Sequence, residues 1–409
     1  MANVQPFRPF RYTPKAGDPA NLLTQPYDKI SPEMQTKYLA ASPYNLVRII
    51  LGERFSKDDS ANNVYTRAAT YLNDWSRAGI LAQDETPAFY AYSQEFSIPD
   101  THETATRIGF IGLGKVEEYS AGIVHRHEQT LSGPKKDRLE VLRATHAHFG
   151  QIFMLYEDHH KWVDRALTTA SEGTALIDVV DDYHVRNRLW AITDPATIEL
   201  IQISMSDKKL LIADGHHRYE TALAYSKENP AAQFVMMTFV NMHSPGLKIL
   251  ATHRVLRNLP DFDEALLLRR AMDLWKVDIF GSPEEVRIAM QKPDPKCVRI
   301  GMITGTGDHV LSRPRAHGDL DVPILHKEVI TGLLKVSEEA VRDENHITYV
   351  RGIDAAAAEV RKKGAQVAFL LDPTPIDEMA RIAFGGGVMP QKSTDFFPKL
   401  LSGVTIYRL

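Results

Sequence analysis

The sequence predicts a mixed α/β (α+β) chain, and three observations carry that reading. Strand-like apolar runs alternate with amphipathic helical segments along nearly the whole length. The stretch "LLIADGHHRYETALAYSKEN" (210–229) packs a strand, a tight turn and a helix into one short segment. A content of 44% hydrophobic and 24% charged residues over 409 positions is that of a globular protein, with material for two or three domains.

The first sixty residues are rich in Pro, Arg and aromatics ("QPFRPFRYTP", "TQPYDKISP", "SPYNLVRIILGE"), which predicts extended segments and turns rather than long helices. In "NNVYTRAATYLNDWSRAGIL", Val64, Ala68, Tyr71, Leu72 and Trp75 line one helical face and Gly79 stops the helix. Two strands follow, "PAFYAYSQEFSI" and "RIGFIGLGKVEEY". Their weak alternation predicts partial burial on both faces.

Residues 121–158 read as strand, polar loop, helix and strand, and "DHHKWVDRALTTASEG" as a short helix. "ALIDVVDDYHVRNRLWAIT" is two strands around a polar turn, and "PATIELIQISM" a helix before the 210–229 unit. "AQFVMMTFVNM" and "LKILATHRVL" are each predicted as one strand. "DFDEALLLRRAMDLWKV" and "SPEEVRIAMQK" are predicted as helices, and "CVRIGMITGTGDHVLSRP" as a hairpin. The chain closes with a Gly/Pro loop, an aromatic segment and a last strand. The expected divisions are an N-terminal α/β region 1–115, a core 116–250 with the polar motifs, and a C-terminal α/β domain 251–409.

A net charge of −4 offers no general basic field, so no nucleic acid is expected as a partner. The single cysteine, Cys297, excludes an intrachain disulfide and a multi-cysteine zinc site and suits a reducing compartment. The opening "MANVQPFRPFRYTP" lacks the shape of a signal peptide, and "FVMMTFVNM" is too short to span a bilayer. A cytoplasmic location is expected, with no membrane partner. Oligomeric state is left open.

The chemistry concentrates in two motifs. In the first, Asp214 and Gly215 end a strand, and His216, His217 and Arg218 fall on the first turn of a helix. Free N–H groups and the positive dipole end favour an anion there. Asp214 also suits an ordinary N-cap, and Gly215 an ordinary turn. Three potential cations at that end have the wrong sign for the dipole, and a bound phosphate or carboxylate would reverse the balance. Neighbouring helical residues point about 100° apart, so His216 and His217 do not share one ion. His216 and Glu220 lie on one face, but no third metal ligand matches them. The second motif is "VHRHEQT", where Glu128 has the chemistry of a general base and His127 that of a phosphate contact. "GPKKDR" adds Lys135, Lys136 and Arg138. Lys392 in "MPQKSTDFF" follows three glycines without the spacing of a phosphate loop.

The ordered segments "PFRPFRY", "QPYDKI", "SPYNLVR", "HEQTLSGPKKDRL", "IADGHHRYETAL" and "MPQKSTDFFPKL" resemble, across essentially the whole chain, the domain of unknown function 1015 family. More distantly, the strand–DGHHR–helix unit is similar to the ParB/sulfiredoxin superfamily, above all to the archaeal ADP-dependent free-serine kinases. That resemblance implies a ParB/sulfiredoxin-like core with N-terminal and C-terminal α/β additions. It implies a nucleotide-dependent phosphotransferase acting on a small hydroxyl metabolite such as serine, with ADP or ATP as donor and Mg²⁺ as cofactor. Glu128 would be the base, with His127 and Asp214 beside it as catalytic groups. Gly215, His216, His217, Arg218, Lys136, Arg138 and Lys392 would hold phosphates, and Asp214 the metal. About sixty residues separate "QIFMLY" from the DGHHR strand, so the compact core is interrupted. Two other readings use the same residues: a ParB-like switch that binds and hydrolyses a nucleotide, and the reverse, phosphoserine phosphatase-type chemistry.

Overall fold

Among the described residues, a nine-stranded mixed sheet organises the first part of the chain. The structure is a computed structural model. It describes residues 1–409 except 100, 102, 129–132, 292, 293, 295, 317, 343–345 and 391. Residues 129–132 of "HEQTLSGPKKDRL" and Gln391 of "PQKST" therefore lie outside the described residues.

The strands are β1 (Val4–Gln5), β2 (Phe89–Ser97), β3 (Thr104–Lys115), β4 (Val124–His125), β5 (Ile152–Tyr156), β6 (Ile177–Val180), β7 (Arg186–Ile192), β8 (Leu210–Asp214) and β9 (Phe234–Asn241). Their order is β4-β8-β5-β9-β3-β2-β7-β6, with β1 paired to β3. The pairs β4–β8 and β5–β9 are parallel, and the remaining neighbours are antiparallel. The ranges 1–115 and 116–250 thus contribute strands to the same sheet.

Around it lie α1 (Val64–Arg77), α2 (Gly133–Thr145), α3 (Trp162–Ala170), α4 (Pro195–Met205) and α5 (His216–Glu228). The α1 helix begins at a capping box, in which Asn63 accepts from Thr66 N–H and the Thr66 hydroxyl accepts from Asn63 N–H. It buries Val64, Ala68, Leu72 and Trp75, the stripe its spacing predicts. Strand β5 is buried along its full length, as a strand covered on both faces should be. The main core joins Phe89, Phe110, Ile152, Met154, Leu210, Ile212, Tyr219 and Phe239.

The chain divides into two units, Met1–Lys248 with Pro398–Leu409, and Ile249–Phe397. The second unit holds the strands β10 (His253–Leu256), β11 (Lys276–Phe280), β12 (Cys297–Thr304), β13 (Asp308–Pro314), β14 (Ile347–Val350) and β15 (Val367–Leu370). Their order is β11-β13-β12-β15-β10-β14.

The hairpin expected at 297–314 is β12–β13, closed by the bond from Thr304 N–H to the Gly307 carbonyl. Three expectations need correction. "LKILATHRVL" is two strands, Lys248–Leu250 and β10, because the chain passes from one unit to the other there. The helix expected over 261–277 spans Glu264–Met272, and its last residues turn into β11. The Pro-rich start includes a ten-residue helix, Pro32–Ala41; Ser31 caps it and Pro32 sits at its first turn, where a missing N–H costs nothing. No described helix is long and apolar enough to cross a membrane.

Candidate active site

Strand β4 runs parallel to the start of β8, with Leu210 opposite Val124 and Leu211 opposite His125. Each is followed by a polar motif and then a helix. The first motif delivers His127 and Glu128, the second Asp214 to Arg218. The end of parallel strands is where open α/β sheets place ligands.

The tie between the motifs is His127. It is fully buried, and its Nδ1 stands 2.8 Å from the Ile212 carbonyl in β8. Burial, partly offset by that bond, pushes its pKa down to about 4, so the ring is neutral at pH 7 and Nδ1–H donates to Ile212. Its ring meets His216 edge to face at 4.8 Å. Burial and the neighbouring His127 also hold His216 well below its usual range. This corrects the reading of three cations on one turn: His216 is a buried neutral imidazole. His127 lies within the fold, next to Glu128 in the chain.

Asp214 is the last residue of β8, and the helix is capped instead by Gly215 at φ 93°, with no side-chain cap bond. That left-handed geometry favours glycine. A Cβ there would also stand 3.1 Å from guanidinium atoms of Arg218. The Asp214 carboxylate is thereby released for longer-range partners. Its Oδ2 accepts from Arg218 Nη2 at 2.6 Å and its Oδ1 from Lys399 Nζ at 3.0 Å. Burial pushes this carboxyl up, but Lys399, Arg218 and Lys29 outweigh burial and hold it far below the usual range. Arg218 also donates to the Gln151 carbonyl at the foot of β5. Both carboxylate oxygens of Asp214 thus face a cation.

Two buried side chains beside this cluster lack hydrogen-bond partners among the described residues: both amide atoms of Gln151, and Nε2 of His216. Buried polar atoms left this way each cost about 1–3 kcal/mol, a cost that a bound ligand or water removes.

Arg218 forms part of the wall of a cleft, with Tyr27, Arg138, Leu142, Phe149 and Ile152 among its lining. Arg138 lies 4.2 Å over the Tyr27 ring and donates to the Ile50 carbonyl at 2.6 Å. Burial, then Asp28, raises the Tyr27 hydroxyl pKa against the lowering effect of Arg218 and Arg138. The walls are otherwise largely aliphatic and aromatic.

The structure therefore gathers Asp214, Gly215, His216, Arg218 and His127, and joins Arg138 to them through the cleft. His217 is half-buried on α5, and Lys136 is exposed on α2. Lys392 is exposed in the second unit, at φ 57°, where its carbonyl accepts from Arg254. The lysine that meets Asp214 is Lys399, whose side chain is only 8% exposed. Its signal in the sequence is a lone cation inside the apolar run "FFPKLL", which needs a buried partner. Gln151 and Tyr27 carried no comparable signal.

No curated protein matches this sequence. Among solved structures, the fold is similar to a conserved hypothetical protein from Pyrococcus furiosus at 14% identity and TM-score 0.36, covering 67% of this chain and 87% of that one. It is similar to a free serine kinase in complex with AMP at 12% identity and TM-score 0.38, covering 69% and 89%. It is also similar to SbnI, with a C-terminal truncation, from Staphylococcus aureus at 10% identity and TM-score 0.37, covering 72% and 87%. The family model described as protein of unknown function (DUF1015) matches residues 4–337, and the chain belongs to that family.

Proposed function

We propose that the protein is a nucleotide-dependent phosphotransferase acting on a small hydroxyl metabolite, serine being the first candidate. The observation that carries this reading is the pair of guanidinium groups, Arg218 and Arg138, in the wall of a cleft otherwise largely apolar. Apolar walls suit a base, and a guanidinium suits phosphate oxygens through paired charge-assisted bonds. The resemblance of the DGHHR and HE motifs to those of free-serine kinases supports the same assignment.

In the proposed reaction Glu128 accepts the proton of the substrate hydroxyl as its oxygen attacks the terminal phosphorus of ADP or ATP. The new O–P bond forms as the bridging P–O bond breaks. The leaving AMP or ADP takes the electron pair on its oxygen, where Arg218 faces the growing charge. Such transfer needs alignment and charge stabilisation more than covalent help. The Lys399–Asp214–Arg218 chain holds the guanidinium in place.

The two roles separate in two variants. Arg218→Ala should weaken nucleotide binding at least tenfold by titration calorimetry, the loss of one charge-assisted contact of about 1.5–3 kcal/mol. Glu128→Gln should keep nucleotide affinity within about twofold and lower turnover about a hundredfold or more. Unchanged affinity in the first variant together with unchanged turnover in the second would sink the assignment.

A further inference from the structure

A second polar cluster sits at the opposite end of β5. Phe153 in that strand pairs with Asp214, and Glu157 follows four residues later, about 13 Å along an extended chain. Strands β5 and β9 are parallel, with Tyr156 opposite Asn241, so they end together. Just beyond their ends stand Glu157 and His159 from one loop and His243 from the other.

The three side chains converge. Nε2 of His159 is 3.1 Å from Glu157 Oε1, and Nε2 of His243 is 3.7 Å from the same oxygen. One ligand atom from each residue lies within 4.8 Å of the other two. The imidazoles stack at 4.2 Å between centroids. Nε2 of His243 is buried and has no hydrogen-bond partner among the described residues. A separation of 3.7 Å is too long for a hydrogen bond. It is close to the distance between two ligands of one ion: metal–ligand bonds of 2.0–2.1 Å at tetrahedral angles set their donor atoms roughly 3.3 Å apart.

The backbone beneath is fixed. Asn241 Nδ2 donates to the Asp158 carbonyl at 2.8 Å, and its Oδ1 accepts from Asp158 N–H at 3.1 Å and from His243 N–H at 3.2 Å. Asp158 in turn accepts from His160 N–H and Trp162 N–H at the start of α3. One buried asparagine thus locks the two ligand-bearing loops in register, the kind of outer support that orients metal ligands.

We propose that Glu157, His159 and His243 form a binding site for a divalent transition ion of the zinc type, separate from the nucleotide cleft. Two imidazoles and one carboxylate suit Zn²⁺, and they disfavour Mg²⁺, which takes oxygen ligands. Three protein ligands leave the fourth position to water. The ion would clip the loop after β5 to the loop after β9.

The test uses tag-free, full-length protein. Zinc chloride at a hundredfold excess over its dissociation constant should raise the thermal midpoint by roughly 5 °C, and an equal concentration of Mg²⁺ should not. Co²⁺ should give the visible absorption of a tetrahedral site. Both signals should vanish in His159→Ala/His243→Ala, whose altered side chains lie towards the surface, so the variant should still fold. They should persist in Arg218→Ala. Absence of both signals, their survival in the double variant, or an equal shift with Mg²⁺ would each overturn the proposal.

Discussion

Replacing Lys399 by methionine removes one of the two cations bonded to the Asp214 carboxylate and leaves a largely buried charge half-compensated. The variant should lose about 3 kcal/mol of stability by urea denaturation, in the range found when one partner of a buried pair is deleted. It should also bind nucleotide more weakly, because Arg218 is oriented through the same carboxylate. Equal stability and affinity would show that Lys399 is a bystander. His127 sets a second prediction. Its pKa in the fold, about 4, lies below the ordinary value of about 6.5. Between those values the unfolded chain binds a proton that the folded chain refuses, so stability falls as pH drops through that window, by up to roughly 1.4 kcal/mol per pH unit. His127→Gln should flatten the profile of urea midpoints between pH 7 and 4; an unchanged slope would refute the assignment. At this scale the sequence showed the DGHHR and HE residues plainly, because unlike charges crowd there. It did not show that His216 is neutral, since that depends on burial by distant strands. It also directed attention to Lys392, whose Gly-rich surroundings imitate a phosphate loop, and away from Lys399.

Strand β8, Gly215 and α5 form the element on which the site depends. Gly215→Ala should destabilise the protein by about 1–2 kcal/mol, since a left-handed residue gains a Cβ. The new atom also crowds the Arg218 guanidinium, so nucleotide affinity should fall by more than the stability loss explains. Titration calorimetry at a temperature where the variant is fully folded separates the two effects. The strand–turn–helix was legible because an apolar run, a glycine and a helical repeat follow one another within a few residues. The parallel pairing of β4 with β8, which brings Glu128 to the same end as Asp214, was not, because two-residue β4 has no period to read. The break in "LKILATHRVL" was hidden likewise: both halves are apolar and β-prone, and only the change of unit separates them.

Across the whole molecule, the last twelve residues return to the first unit and bring Lys399 with them. Within that unit Thr24 and Ser402 exchange backbone bonds, and Tyr407 pairs with His148. A chain ending at Phe397 should therefore lose both thermal stability and nucleotide binding, which a melting curve with and without ADP would register. The mixed α/β class was readable from alternating patterns. The return of the C-terminus was not, because contacts between residues more than 180 positions apart leave no local trace. The central claim is phosphoryl transfer in the Arg218 cleft with Glu128 as base. Its most direct test is ³¹P NMR of the protein with L-serine, Mg²⁺ and either ADP or ATP. A phosphoserine resonance that grows with the wild type and is absent with Glu128→Gln is the predicted result. Nucleotide that stays intact beside folded wild-type protein, or nucleotide hydrolysed to inorganic phosphate with no phosphoserine, would contradict it.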